Sequence, residues 1–200
     1  MVRNISGVIL AGGASKRFDG IIKAKIVIDG MTIISRIIET IDDIFDEIII
    51  VTNTTDEFKE YNNHKIVGDH FLNRGPLAGI HSALKQSDKE AIFVLAGDMP
   101  LLDKEVILNQ IAFYNSNYYD IVIPQIDQYI EPLHGIYKKT LVRILEAYLE
   151  GENDYAIREF LKMSDVGYLQ LEGSEKIKNT FTNINSPVDV SFVKKILGIG

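Results

Sequence analysis

Two hundred residues with 21 Lys and Arg against 28 Asp and Glu, a net charge of −7, 46% hydrophobic content and no cysteine fit one globular domain with a full core. The missing cysteine excludes disulfides, thiolate metal sites and thiol nucleophiles and suits a reducing cytoplasm. The acidic balance excludes a general nucleic-acid binder, and no apolar stretch approaches the roughly 18 residues of a spanning helix. The expectation is a cytoplasmic protein, a single domain over residues 1–200, with neither nucleic acid nor membrane as partner.

Val8 to Leu10 is an apolar run suited to a strand buried on both faces, and Gly12-Gly13 then lets the backbone turn sharply. Lys16, Arg17, Lys23 and Lys25 follow with one acid, Asp19, among them: a positive island on an acidic chain. Backbone N–H groups and mobile cations, with Arg17, Lys23 and Lys25 converging, would suit a polyphosphate. The alternative is an ordinary glycine turn with solvated basic residues. The loop is neither a Walker loop, which needs Gly-Lys-Ser/Thr, nor the Gly-x-Gly-x-x-Gly dinucleotide fingerprint.

Lys25 to Ile28 is predicted as a short strand closed by Asp29-Gly30. Thr32 then caps a helix in which Ile33, Ile34, Ile37, Ile38 and Ile41 recur on one face. Ile48 to Val51 reads as a buried strand ending at Thr52-Asn53, and Ile66-Val67 as a shorter one ending at Gly68-Asp69. Gly75-Pro76-Leu77-Ala78-Gly79 leads into a helix through Leu84, and Ile92 to Leu95 is a strand that stops at Ala96-Gly97-Asp98. Asp103 caps a helix to about Tyr114, and Ile121 to Ile123 form a strand ended by Pro124. Tyr129 to Tyr137 supplies an antiparallel segment, with helices from Lys139 to Leu149 and from Asp154 to Met163. The chain closes with a strand near Phe181 to Asn185 and a helix with Ser186 as cap, Pro187 at its first position and Asp189 three after the cap.

This alternation predicts an α/β fold, a three-layer, doubly wound, mostly parallel sheet of Rossmann-like type with helices on both faces. Ligands of such sheets bind outside the carboxyl ends of the strands, which here carry Gly12-Gly13, Asn53, Asp69 and Asp98. Asp98 is a carboxylate of the kind that holds magnesium together with phosphate oxygens and water; its plain reading is a turn residue or helix cap. Asn183 and Asn185 flank Ile184 with period two, so in a strand both amides face one way, toward a carboxylate, a metal-bound water or a phosphate. The plain reading there is a polar edge strand. The four histidines show no metal-ligand spacing, no Gly-x-Ser-x-Gly elbow is present, and no aromatic-basic stripe suggests stacked bases.

Leu10-Ala11-Gly12-Gly13 with Ser15, Arg17 and Lys23, then Gly75 to Gly79, then Gly97-Asp98-Met99-Pro100, then Asn183 to Asp189, resemble in order the motifs of the molybdenum cofactor guanylyltransferases, a branch of the MobA-like nucleotidyltransferases. The resemblance covers Val8 to Asp189. It implies transfer of GMP from GTP to the terminal phosphate of molybdopterin, with release of pyrophosphate. It also implies roles for matching positions. Leu10, Ala11, Gly12 and Gly13 would contact the nucleotide, with Lys23 on the triphosphate and Arg17 beside it. Asn53 and Asp69 would meet the guanosine, Gly79 would also belong to the nucleotide site, and Asp98 would ligate Mg2+. Asn183 and Asn185 would complete the site. Transient contact with cofactor-synthesis proteins and recipient molybdoenzymes is implied as well.

Two departures stand out: Phe18-Asp19 where the family usually has Met-Gly, and Ile22 where an aspartate usually precedes the lysine. They leave open weaker GTP affinity, an altered second substrate or a loop that closes only when both substrates are present. The alternative readings are a related transferase using CTP or another phosphate or sugar-phosphate acceptor, and a non-catalytic GTP-binding protein of cofactor delivery. In the stretch from Gln125 to Glu172 only Pro132-Leu133-His134-Gly135-Ile136-Tyr137 is family-like.

Overall fold

A computed structural model describes residues 1–12, 18, 20–151 and 155–199. In chain order the elements are β1 (Ile5–Leu10), β2 (Val27–Ile28), β3 (Met31–Thr32), α1 (Ile33–Ile41), β4 (Ile48–Val51), β5 (Lys65–Val67), α2 (Pro76–Gln86), β6 (Ala91–Ala96) and α3 (Lys104–Asn115). There follow β7 (Ile121–Ile126), β8 (Tyr129–Ile130), β9 (His134–Lys138), α4 (Val142–Glu150), α5 (Ile157–Leu161), β10 (Val166–Gln170), α6 (Glu175–Thr180) and α7 (Pro187–Ile196).

Eight strands form one sheet in the order β10-β7-β9-β6-β1-β4-β5, with β8 on β7. The β6-β1-β4-β5 block is parallel, β10 is parallel to β7, and β9 runs antiparallel to both of its neighbours, β6 and β7. The chain leaves β1 toward β4 and β5, then returns to place β6 on the other side of β1. This reversal opens a crevice at the carboxyl ends of β1 and β6.

Alternate residues of each strand feed two cores. Ile9, Ile50, Phe93 and Val122 pack with the apolar faces of α1 and α3 and with Val193 of α7. Val8, Ile49, Val94 and Ile123 pack with α2, α4 and α5. The sheet is therefore covered on both faces, as the near-continuous apolar strands require. In α1, Thr32 Oγ1 accepts the Ser35 N–H at 3.2 Å, and Ile33, Ile34, Ile37 and Ile41 are buried. Each such isoleucine removed from water contributes roughly 1.5–3 kcal/mol.

Four local readings need correction. Lys23–Lys25 is a 3₁₀ turn, and only Val27–Ile28 is strand, paired in a hairpin with β3 across Asp29-Gly30, both at positive φ as a type I′ turn demands. Pro124 does not end β7. Its carbonyl accepts the Glu131 N–H at 3.2 Å, and the N–H it lacks would point to that same side, where β9 has already diverged after Val122. Phe181–Asn185 is not a strand but an irregular segment anchored by the Ile184 N–H on the Asp98 carbonyl (2.9 Å) and by a fully buried Ile184 side chain. Strand β10 and helix α6 occupy residues with no element expected there. In β10 the Tyr119 ring fills the space that a Cβ on Gly167 would need.

Candidate functional site

A cleft of about 410 Å³ lies across the carboxyl ends of β1, β4, β5 and β6. Leu10, Ala11 and Gly12 form its floor after β1. Close approach of β1 and β6 depends on Gly97: a Cβ there would lie 2.7 Å from the Leu10 carbonyl oxygen and 3.0 Å from Ala11 Cα, and the Gly97 N–H donates to that carbonyl at 3.0 Å. Asp98, one residue on, is thereby held beside the end of β1 at Leu10 and Ala11.

At one end of the cleft Lys23 Nζ lies 2.9 Å from Asp98 Oδ2 and 2.5 Å from Asn185 Oδ1. An ammonium thus joins three segments far apart in sequence: the 3₁₀ turn, the end of β6 and the approach to α7. At the other end Asn53 Nδ2 donates to Asp69 Oδ2 at 2.8 Å, and the Asp69 N–H donates to Asn53 Oδ1 at 2.8 Å. Burial pushes the Asp69 carboxyl above its ordinary range, with the Asn53 hydrogen bond working against that rise.

The start of α2 also lines the cleft. Gly75 caps it at φ +65, ψ −161, a backbone conformation open essentially to glycine, and Pro76 follows at the first helical position. Gly75, Pro76 and Gly79 line the cleft there; Pro76 carries no N–H, and the Ala78 N–H bonds the Gly75 carbonyl at 3.2 Å. The arrangement offers one cation to phosphate groups, and a carboxylate-amide pair to a base.

The MobA-like NTP transferase domain matches residues 7–169 of this chain. The chain belongs to the MobA-like NTP transferase family. A probable molybdenum cofactor guanylyltransferase of Natranaerobius thermophilus is 37% identical, with 99% of this chain and 98% of that relative covered. A protein of the same description from Aquifex aeolicus is 35% identical over 96% of this chain and 89% of its own length. Among solved structures, the molybdopterin-guanine dinucleotide biosynthesis protein A of Archaeoglobus fulgidus superposes with a TM-score of 0.81 at 23% identity, covering 96% of this chain and 98% of that one, a likeness of fold.

Of the site residues expected from the sequence, Leu10, Ala11, Gly12, Lys23, Asn53, Asp69, Gly79 and Asp98 line this one cleft of the MobA-like fold. Gly13 and Arg17, with Ser15 and Asp19, lie outside the described residues. Asn185 joins through Lys23, but Asn183 turns away and donates from Nδ2 to the Phe181 carbonyl at 3.3 Å, so the two amides do not converge. Lys25 also leaves the expected cluster: it bonds the Glu57 carbonyl and Glu60 and lies 5.4 Å from the Phe58 ring centroid. Lys23 is the cation of that stretch which reaches the cleft among the described residues.

Other contributors escaped the sequence reading. Asn73 lines the cleft at positive φ, a conformation its Asn-x-Gly-Pro context could have signalled. Leu133 lines it too, whereas the rest of the Pro132–Tyr137 patch is structural: buried His134 Nδ1 bonds Gln110 Oε1, and the Tyr137 hydroxyl donates to the Pro132 carbonyl. Glu131 Oε1 accepts the Leu133 N–H at 3.3 Å. Burial raises its carboxyl, the Asp98 charge adds to that, and the Leu133 hydrogen bond and Arg158 work against it.

Proposed function

We propose that this protein transfers GMP from GTP to the terminal phosphate of molybdenum-molybdopterin, yielding the guanine dinucleotide cofactor and pyrophosphate. The observation that carries the reading is the division of one cleft. The Asn53–Asp69 pair stands at one end and Lys23 with Asp98 at the other, in a chain whose full-length relatives are described as guanylyltransferases.

Guanine presents adjacent N–H donors on one edge, and a carboxylate accepts both. Asn53 occupies Asp69 Oδ2 and the Asp69 N–H, which fixes the carboxylate in place for that edge. Lys23 and the cleft floor at Ala11-Gly12 would then receive the phosphates. An oxygen of the acceptor phosphate forms the new bond to the α-phosphorus as the bond to pyrophosphate breaks. The nucleophile is already ionised, so no strong base is required, and catalysis rests on alignment and charge.

Asp98 and Asn185 supply oxygen donors, the chemistry that a magnesium ion takes from one carboxylate plus substrate phosphates and waters. When bound, it offsets triphosphate charge. Asp98 would hold it, Asn185 would stand beside it, and Lys23, released from both, would follow the departing pyrophosphate. The product would pass by transient contact to recipient molybdoenzymes.

The test is pyrophosphate release from Mg-GTP, Mg-CTP and Mg-ATP, each with and without molybdenum-molybdopterin, with identification of any dinucleotide. GTP-specific, acceptor-dependent release that Asp98→Ala abolishes is expected. A preference for CTP would move the protein to the cytidylyl branch of the chemistry, and GTP binding without turnover would leave a delivery role.

A further inference from the structure

We infer that Asp189 is a positioning residue for the proposed transfer: it fixes Asn185, which holds the Lys23 ammonium before nucleotide and metal bind and stands beside the metal afterwards. This rests on the guanylyl-transfer reading. Asp189 Oδ2 accepts three hydrogen bonds, from the Asn185 N–H at 2.8 Å, the Ser186 N–H at 2.7 Å and Ser186 Oγ at 3.0 Å. A capping box at the start of α7 needs only the reciprocal pair between Ser186 and Asp189. The bond from Asn185 is additional, and its donor is the backbone of the residue whose side chain holds Lys23.

The segment is pinned on both sides of the Asn185 amide. On the amino side, the Ile184 N–H bonds the carbonyl of Asp98 and the Ile184 side chain is fully buried. On the carboxyl side stands Asp189. Asn185 is itself exposed and would be free to swing without these anchors. A closed circuit results, running from Asp189 to Asn185, to Lys23 Nζ, to the Asp98 side chain, and back through the Asp98 carbonyl to Ile184. Asn185 hydrogen bonding, together with Ser186 and the nearby Lys23 charge, holds the Asp189 carboxyl below its ordinary range.

If Asp189 were only a helix cap, breaking either half of the box would have the same consequence. Ser186→Ala removes the reciprocal half while leaving Asp189 to accept from Asn185. Asp189→Ala removes both. Three measurements on the full-length protein separate the roles: thermal midpoint, kcat and KM for GTP, and NMR of the reductively 13C-methylated lysines without nucleotide, with Lys23→Arg to assign the signal. Both variants should lower the midpoint by roughly 2–4 °C. Ser186→Ala should keep kcat within about twofold and leave the Lys23 signal in place. Asp189→Ala should lower kcat by roughly 10- to 100-fold with KM for GTP changed less than about threefold, and should move the Lys23 signal.

Asp189→Asn retains an acceptor oxygen without the charge and should fall between Asp189→Ala and the unaltered protein. Loss of kcat in step with midpoint in both variants, or a Lys23 signal indifferent to Asp189→Ala, would overturn the inference. Should the unaltered protein transfer no guanylyl group, the functional reading fails, and the NMR arm still decides whether Asp189 positions Lys23.

Discussion

Replacing Lys23 with methionine should strengthen metal binding in the absence of nucleotide while weakening turnover. Lys23 Nζ sits 2.9 Å from Asp98 Oδ2 and also bonds Asn185 Oδ1, so it occupies the two oxygens proposed for magnesium. At that separation unit charges attract by about 1.4 kcal/mol in a water-like dielectric and about 6 kcal/mol at an effective dielectric of 20. The side chains are 24% and 19% exposed, so partial desolvation of both charges offsets most of the larger figure. The net is about 1–3 kcal/mol, the range of a hydrogen bond to a charged partner. A divalent ion must displace that interaction, and Lys23→Met removes the competitor. Mn2+ affinity of the nucleotide-free protein should therefore rise by roughly 5- to 100-fold, at about 1.4 kcal/mol per decade. Electron paramagnetic resonance titration of free Mn2+ measures this, with Asp98→Ala as the control that abolishes the site. Guanylyl transfer should fall at least about 100-fold, because the leaving pyrophosphate loses its cation. Mn2+ affinity unchanged or weakened in Lys23→Met would refute the competition.

Asp69→Asn replaces an acceptor by a donor-acceptor amide at the base end and should erase most of the preference for GTP over ATP, by roughly 10- to 100-fold, read as the ratio of kcat/KM values. Gly97→Ala places a Cβ 2.7 Å from a backbone oxygen of β1; the strand ends must part, costing about 1–3 kcal/mol by urea denaturation and lowering turnover through the displaced Asp98. Burial lowers the pKa of His134 to about 4. Its folded pKa is depressed, so the unfolded chain takes up the proton first as pH falls below about 6.5. The neutral-histidine contribution is complete above that pH and is lost toward pH 4, a change of about 3 kcal/mol. Urea midpoints between pH 7 and 4.5 should fall more steeply for the unaltered protein than for His134→Gln, and equal slopes would show that His134 does not remain neutral in the folded state.

Much of this architecture could be read without coordinates, for local reasons. The runs Val8–Leu10, Ile48–Val51 and Ile92–Leu95 are apolar at every position, which suits only a strand covered on both faces. Thr32 with its isoleucine stripe, and Ser186-Pro187 with Asp189, carry start signals whose partners lie within one turn. The polar exits Gly12, Asn53, Asp69 and Asp98 do meet in one cleft, because a parallel sheet brings all its strand ends to the same edge.

What only the tertiary structure decided depends on partners distant in sequence. Lys23 and Lys25 are alike on paper, but one reaches Asp98, 75 residues on, and the other turns to Glu57 and Glu60. Asn183 and Asn185 share a period-two pattern, but the side-chain oxygen of one meets Lys23 while the amide of the other satisfies a neighbouring carbonyl. Pro124 stays in its strand because β9 has moved away on the side where an N–H would be missed, and Glu131, partly buried, meets the charge of Asp98, 33 residues earlier, only in the folded chain. Periodicity and caps are settled by neighbours along the chain. A flexible charged or amide side chain takes its direction from whichever partner the packed sheet brings within hydrogen-bonding distance, and that choice is made only when the layers close.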